Sequence, residues 1–198
     1  MLGVGVTVAL AGTPLSAQGT GAPEVTLRPG DAIDVRIVAD ADLSGVCPVD
    51  ERGMVTLPLV GTRLVTGAVW SVVRDSLLAA FARELRYPSV QLTPMRRIPI
   101  LGHVNKAGVQ LLDPAVTLAG AIAMAQGASP DGDLRKVRVV RDGITLLEAA
   151  PVDATVFQLD LRSGDQVVVG RRSWWDRNSG AVVGAVISAV TLLVTAGR

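Results

Sequence analysis

One nine-residue sequence pattern occurs twice in this chain and constrains its fold more than any other feature. Residues 27–35 and 161–169 both follow the pattern L-R-x-G-D-x-[I/V]-x-V. The glycine permits a tight turn, the aspartate can accept hydrogen bonds from nearby backbone N–H groups, and a strand follows at once. We interpret both strings as structural turns, one in each of two small domains, and place the domain boundary near Arg96 and Arg97.

The middle of the chain alternates short runs of Val, Ile and Leu with turn residues, and two stretches show a helical period. Hairpin turns are predicted at residues 50–53 and 142–143. The pattern predicts an α+β fold with helices at 68–86 and 118–125. Strands are predicted at 32–38, 46–49, 54–59, 90–93, 98–104, 109–112, 135–141, 144–148 and 166–169.

Composition excludes several classes of function. The 198 residues are 49% hydrophobic, which is enough to bury a core, and the net charge of +1 lacks the basic excess that nucleic-acid binding needs. One cysteine and one histidine exclude a disulfide framework and a zinc site built from several Cys and His residues. No two carboxylates are spaced as an acid and base pair, so we expect no enzyme, no cofactor and no metal.

The N-terminal 22 residues contain no charged side chain, and an apolar run at 2–11 is followed by small residues near Ala17. This pattern predicts a secretory signal peptide at residues 1–17. The alternative is a disordered apolar N-terminus. Cys47 lies too far beyond the apolar run to be a lipoprotein acceptor.

The C-terminal segment 179–196 also lacks charge, and as a helix its 18 residues reach roughly 27 Å, close to the ~30 Å hydrocarbon core of a bilayer. Adjacent tryptophans between arginines precede it, which is typical of a membrane interface. These candidate interface residues are Arg172, Trp174, Trp175 and Arg177. A stripe of small residues on an aliphatic helix favours helix packing or the lining of a wet pore. Its candidates are Gly180, Gly184, Ser188, Thr191 and Thr195. The alternative is a core helix of the soluble part.

Three strings carry a resemblance to a known family. Residues 49–61 read V-D-E-R-G-M-V-T-L-P-L-V-G, similar to the signature V-D-x-x-G-x-I-x-L-P-x-[VI]-G, and residues 27–35 and 100–112 flank this string in the family's order. The chain thus resembles the outer-membrane polysaccharide export family, the Wza-like proteins. The motif turns contain Gly30, Asp31, Asp50, Gly53, Pro58, Gly61, Gly102, Gly108, Gly164 and Asp165.

The resemblance implies an export domain at 24–96, an SLBB (β-grasp-like) domain at 97–172, and an aromatic belt with a membrane helix at 173–198. It further implies a ring of identical subunits whose C-terminal helices form a barrel through the outer membrane, with the soluble domains in the periplasm. A capsular or extracellular polysaccharide would pass through it without chemistry, supplied by a polysaccharide co-polymerase of the inner membrane. The alternative is a membrane-tethered periplasmic SLBB-type module that binds a glycan or a partner protein.

Overall fold

The computed structural model describes residues 25–38, 40–86 and 89–173, and its mixture of helices and strands confirms the α+β class. The predicted signal peptide at 1–17 lies outside the described residues. In chain order the elements are β1 (Ala32–Ile37), β2 (Gly45–Pro48), β3 (Met54–Leu57), β4 (Gly61–Leu64), α1 (Trp70–Glu84), β5 (Val90–Gly102), β6 (Gly108–Leu112), α2 (Leu118–Met124), β7 (Gly132–Arg141), β8 (Ile144–Leu147) and β9 (Gln166–Arg171).

A single sheet joins the two halves of the described chain. Its strand order is β2-β1-β5-β9-β7-β8, with β6 paired to β5, while β3 and β4 form a separate pair. The N-terminal half of β5 is antiparallel to β1, and its C-terminal half is antiparallel to β6 and parallel to β9. One strand therefore belongs to both domains.

The prediction of two strands at 90–93 and 98–104 was wrong, because β5 runs through Pro94, Arg96 and Arg97 without a break. A proline and two arginines interrupt the apolar pattern that marks a buried strand. The strand tolerates Arg96 because its guanidinium donates a hydrogen bond to the backbone carbonyl of Leu161. The domain boundary predicted near these arginines therefore falls inside a strand.

Helix α1 closes the core of the first domain. Val73, Leu77 and Phe81 recur every four residues, and all three are buried on the face directed at that core. Strand β1 contributes Ile33 and Val35 from its buried face. The helix is shorter than the predicted range of 68–86 and ends where the N–H of Leu85 donates to the Phe81 carbonyl.

Helix α2 does the same for the second domain, where it packs with β5, β7 and β9 around a separate core. The Thr117 hydroxyl accepts a hydrogen bond from the Gly120 N–H at 3.1 Å and caps the start of the helix. Gly127, with φ of 79°, ends it, and its N–H donates to the Ile122 carbonyl at 2.9 Å.

Of the two predicted hairpins, the one at 142–143 is confirmed. Strands β7 and β8 pair antiparallel around Asp142 and Gly143, whose φ angles are 50° and 80°. At 50–53 the turn forms, but the segments on its two sides are joined only by an isolated bridge between Val49 and Val55, so β2 and β3 do not form a hairpin. Strand β2 pairs instead with β1, and β3 pairs with β4. Strand β4 was not predicted, because all four of its residues are exposed.

Among the described residues, no helix has the length and apolar character needed to cross a membrane. The predicted membrane helix and its interface residues Trp174, Trp175 and Arg177 lie outside the described residues. The same holds for the stripe candidates Gly180, Gly184, Ser188, Thr191 and Thr195. These assignments stay predictions.

Candidate functional site

The two repeated turns have the same local geometry. In the first, the Asp31 carboxylate accepts a hydrogen bond from the Arg28 backbone N–H at 2.9 Å. In the second, the Asp165 carboxylate accepts one from the Arg162 N–H at 2.7 Å. The glycine before each aspartate has a positive φ, 89° and 96°, in the region that other residues avoid. Both strings are therefore turns that begin a strand.

The turns also contact each other across the domain junction. Ser163 in the second turn donates from Oγ to the Oδ1 atom of Asp31 at 2.5 Å. The same hydroxyl accepts the backbone N–H of Arg97 at 2.9 Å, and the Gly164 N–H donates to the Arg97 carbonyl at 3.0 Å. Sequence analysis predicted each turn by its own pattern, but no local signal could show that residues 132 apart would touch.

Two arginines that sequence analysis did not assign to a site lie beside the carboxylates of the two turns. Arg96 is 5% exposed, and burial lowers the pKa of its guanidinium, an effect that the nearby Asp31 and Asp160 charges oppose. Arg141 donates to both carboxylate oxygens of Asp165, at 2.7 and 2.8 Å, and this contact raises the pKa of Arg141. The sequence signal for Arg96 is its two-residue spacing from Ile98 and Ile100, which are buried on the same face of β5.

The carboxylates of the junction are fully engaged. Both oxygens of Asp31 and both oxygens of Asp165 accept hydrogen bonds. The Asp31 carboxylate thus links the two domains through Ser163, whereas the Asp165 carboxylate holds the second turn together within its own domain. Within residues 25–38, 40–86 and 89–173, no three His, Cys, Asp or Glu side chains converge to hold a metal ion.

The signature string at 49–61 also forms turns. The Oδ1 atom of Asp50 accepts the backbone N–H groups of Arg52 and Met54 at 2.9 and 2.8 Å. Gly53 has φ of 78°, and a Cβ there would lie 2.0 Å from the Thr66 hydroxyl oxygen. This close approach requires glycine.

Pro58 and Gly61 lie at the connection between β3 and β4. The Val60 N–H donates to the Pro58 carbonyl at 2.7 Å, and Gly61 has φ of 75°. This tight connection reverses the direction of the chain, so that β4 pairs antiparallel with β3. The signature residues therefore position backbone and leave no side chain converging on a site.

The second string, at 100–112, places its glycines at the two ends of a turn. Gly102 ends β5 with φ of 84°, and a Cβ there would lie 2.3 Å from the Val169 carbonyl oxygen. Gly108 begins β6 with no atom within 4 Å of such a Cβ. His103, predicted on a strand, lies just after β5, and its N–H donates to the Val169 carbonyl at 2.9 Å.

Arg172 is the one predicted interface residue that the described part of the chain includes. Its side chain is exposed, and its backbone N–H donates to the Asp131 carbonyl at 2.7 Å. This hydrogen bond holds the chain to the second domain just beyond β9.

An open cleft between the two domains was not predicted. Its cavity measures about 490 Å³, within the ~300–1,000 Å³ typical of small-molecule sites. Two aromatic side chains, Trp70 and Phe157, line it from opposite domains. The full lining is Val25, Trp70, Pro94, Asp113, Pro114, Ala115, Thr155, Phe157 and Gln158. No local pattern could reveal it, because its walls are distant in sequence.

Comparison with known proteins gives two adjacent matches. The family described as "Polysaccharide biosynthesis/export protein" matches residues 20–93, and the SLBB domain matches residues 96–173. The EPS I polysaccharide export outer membrane protein EpsA of Ralstonia solanacearum is 29% identical over 189 residues, which cover 89% of this chain and 48% of EpsA. The chain therefore spans about half the length of this relative.

Proposed function

We propose that this chain, which belongs to the polysaccharide biosynthesis/export family, assembles with copies of itself into a conduit through which a polysaccharide crosses the outer membrane. The order of the two matched domains carries this proposal, since export and SLBB domains follow one another over most of the chain. In the proposal the described domains lie in the periplasm. A polysaccharide co-polymerase of the inner membrane supplies the polymer.

The shared strand β5 supports this role. It continues from the first domain into the second, and the turns at Asp31 and Ser163 close the junction beside it. Subunits of a closed ring must repeat one geometry, which favours domains held rigidly together. A flexible linker between the domains would have weakened the proposal.

The sheet edge at β8 supports self-association. Among the described strands, β8 pairs with β7 alone, and its residues Ile144, Leu146 and Leu147 are 68%, 46% and 37% exposed. Exposed apolar side chains on a free edge are sites where another chain can add. A neighbouring subunit that covers this edge would remove apolar surface from water.

The first experiment is the mass and symmetry of the full chain in detergent, by native mass spectrometry and negative-stain class averages, beside a truncation after Arg172. We expect closed rings that lose a membrane-spanning collar on truncation. The variant Ile144→Lys should weaken the rings by placing a charge on the free edge. Its control is Val38→Lys, at the end of β1, where the side chain is 80% exposed. A monomer in every sample would contradict the conduit.

The second candidate function is a membrane-tethered module that binds a glycan or a partner protein, and the interdomain cleft favours it. Replacing Gly184 and Ser188 by Leu separates the two candidates. In the conduit, the larger side chains should prevent assembly and export, because the helices of a barrel pack through small residues. In a tethered module, the same change should leave binding and localisation intact.

A further inference from the structure

We infer that the interdomain cleft binds an uncharged sugar unit of the exported polymer, stacked between Trp70 and Phe157 and hydrogen-bonded by Asp113 and Gln158. For the class of its ligand this inference rests on the proposed function. The site itself rests on the lining of the cleft and on the hydrogen-bonding groups that the protein leaves open there.

The two aromatic side chains contribute apolar surface to the cleft from both domains, and Trp70 also packs against the first core. Trp70 begins α1, and its backbone N–H donates to the Val25 carbonyl at 2.7 Å. Phe157 lies on the segment between β8 and β9 in the second domain, and its N–H donates to the Pro114 carbonyl at 2.9 Å. Pyranose rings present C–H groups on their faces, and these pack on the electron-rich face of an aromatic ring.

The polar groups in the cleft complement hydroxyl groups. Asp113 accepts the Ala115 N–H through Oδ1 at 2.8 Å, and its Oδ2 atom has no hydrogen-bond partner among the described residues. Gln158 accepts the Thr155 N–H through Oε1 at 2.9 Å, which leaves its amide N–H groups without a partner in the described part of the chain. A sugar hydroxyl both donates and accepts, so it can satisfy a carboxylate and an amide together.

These polar side chains are held in place before any ligand binds. The Thr155 hydroxyl accepts the backbone N–H of Gln158 at 3.1 Å, while Thr155 itself forms a bridge with Thr117 at the start of α2. The Val156 N–H donates to the Val116 carbonyl at 2.8 Å. A preformed wall lowers the entropy lost on binding.

The charge of the cleft selects among sugars. Asp113 is the one acidic side chain among the described lining residues, which include no basic side chain. A uronic acid placed there would bring a second carboxylate close to the first, and like charges repel. The cleft should therefore favour neutral sugars over acidic ones.

The test is saturation-transfer NMR and calorimetry of the full chain in detergent with neutral tetrasaccharides of glucose, galactose, mannose and N-acetylglucosamine, beside tetragalacturonate. We expect at least one neutral tetrasaccharide to bind at millimolar concentration or better, and tetragalacturonate to bind more weakly. Trp70→Leu and Phe157→Leu should each reduce the affinity by about tenfold. Phe157 is the safer variant, because it belongs to neither buried core of the described residues.

A charge variant tests the selectivity separately. Asp113→Asn keeps an acceptor for the Ala115 N–H and removes the negative charge. The affinity for tetragalacturonate should therefore rise relative to the affinity for neutral tetrasaccharides. The matched control is Asp153→Asn, an exposed position on the segment between β8 and β9. It should leave both affinities unchanged.

The inference is overturned if no neutral tetrasaccharide binds, if binding survives both leucine variants, or if tetragalacturonate binds more tightly than all four. In each case the cleft is not a binding site for a neutral sugar of the polymer. The mass of the assembly, measured on the same sample, keeps the two proposals apart. A ring that binds no sugar refutes the sugar site but not the conduit. A monomer that binds sugar through Trp70 refutes the conduit but not the sugar site.

Discussion

Removal of the Asp165 carboxylate is the sharpest test of how the second repeated turn is stabilised. Asp165→Ala leaves the Arg141 guanidinium without its two carboxylate contacts, at 2.7 and 2.8 Å, and the Arg162 N–H without its acceptor at 2.7 Å. The Asp165 side chain is 2% exposed, so its removal leaves hydrogen-bond donors that water can solvate only in part.

The size of the effect follows from burial. Breaking a fully buried ion pair by removing one partner costs about 3–5 kcal/mol. The Arg141 side chain is 25% exposed, so water recovers part of its solvation, and we expect a loss of about 2–3 kcal/mol in the free energy of unfolding. This corresponds to a fall in Tm of roughly 4–12 °C for a chain of this size.

The assay is urea unfolding of the full chain, followed by circular dichroism. The control is Asp75→Ala, because that carboxylate is 67% exposed and pairs with Arg74 at 3.0 Å on the surface; it should cost less than about 0.5 kcal/mol. Adding Arg141→Met to Asp165→Ala should cost little more, since the partner charge is already lost. Equal losses for Asp165→Ala and Asp75→Ala would refute the reasoning.

Three further predictions test the first core, the signature turn and the acid response. Gly53→Ala should cost about 2 kcal/mol, because φ is 78° and a Cβ would lie 2.0 Å from the Thr66 hydroxyl oxygen. Phe81→Ala should cost about 3–5 kcal/mol in urea unfolding, since the side chain is 0% exposed. Hydrogen bonds from Arg135 lower the pKa of Asp133, so its stabilising contribution exists near neutral pH and fades as pH falls through that lowered pKa. Asp133→Asn should therefore destabilise at pH 7 and match the parent in strong acid.

Each of these variants has a matched control in the same fold. Gly45→Ala meets no atom within 4 Å and should be nearly neutral. Val72→Ala removes a side chain that is 62% exposed on the same helix as Phe81. Asp75→Asn alters a carboxylate with an exposed arginine partner and should leave the pH profile unchanged. The reasoning fails wherever a control costs as much as its test variant.

Much of the fold could be predicted because its signals are local. The four-residue spacing in α1 and the Asp142-Gly143 turn determine their own structures. Strand β5 could not be predicted as one element, because an arginine interrupts the apolar pattern of a buried strand. Arg96 is accommodated there by its hydrogen bond to the carbonyl of Leu161, which is distant in sequence. Exposed strands such as β4 lack the alternation that marks a half-buried strand.

The site was less accessible to sequence analysis than the fold. The repeated turns were found because their residues are similar, whereas their contact through Ser163 joins positions with no shared pattern. Trp70 was predicted only within a helix, and Phe157 lies outside every predicted element. A cleft formed by two domains depends on their relative placement, which no window of sequence contains.

The position of β9 determines how the fold should respond to mechanical force. This strand lies between β5, to which it is parallel, and β7, to which it is antiparallel. A pull on the residues that follow Arg171 acts along the strand axis, so the hydrogen bonds on both sides bear the load together rather than opening in turn. A subunit held at that point should withstand tension from a moving polymer far better than one anchored through an edge strand such as β8.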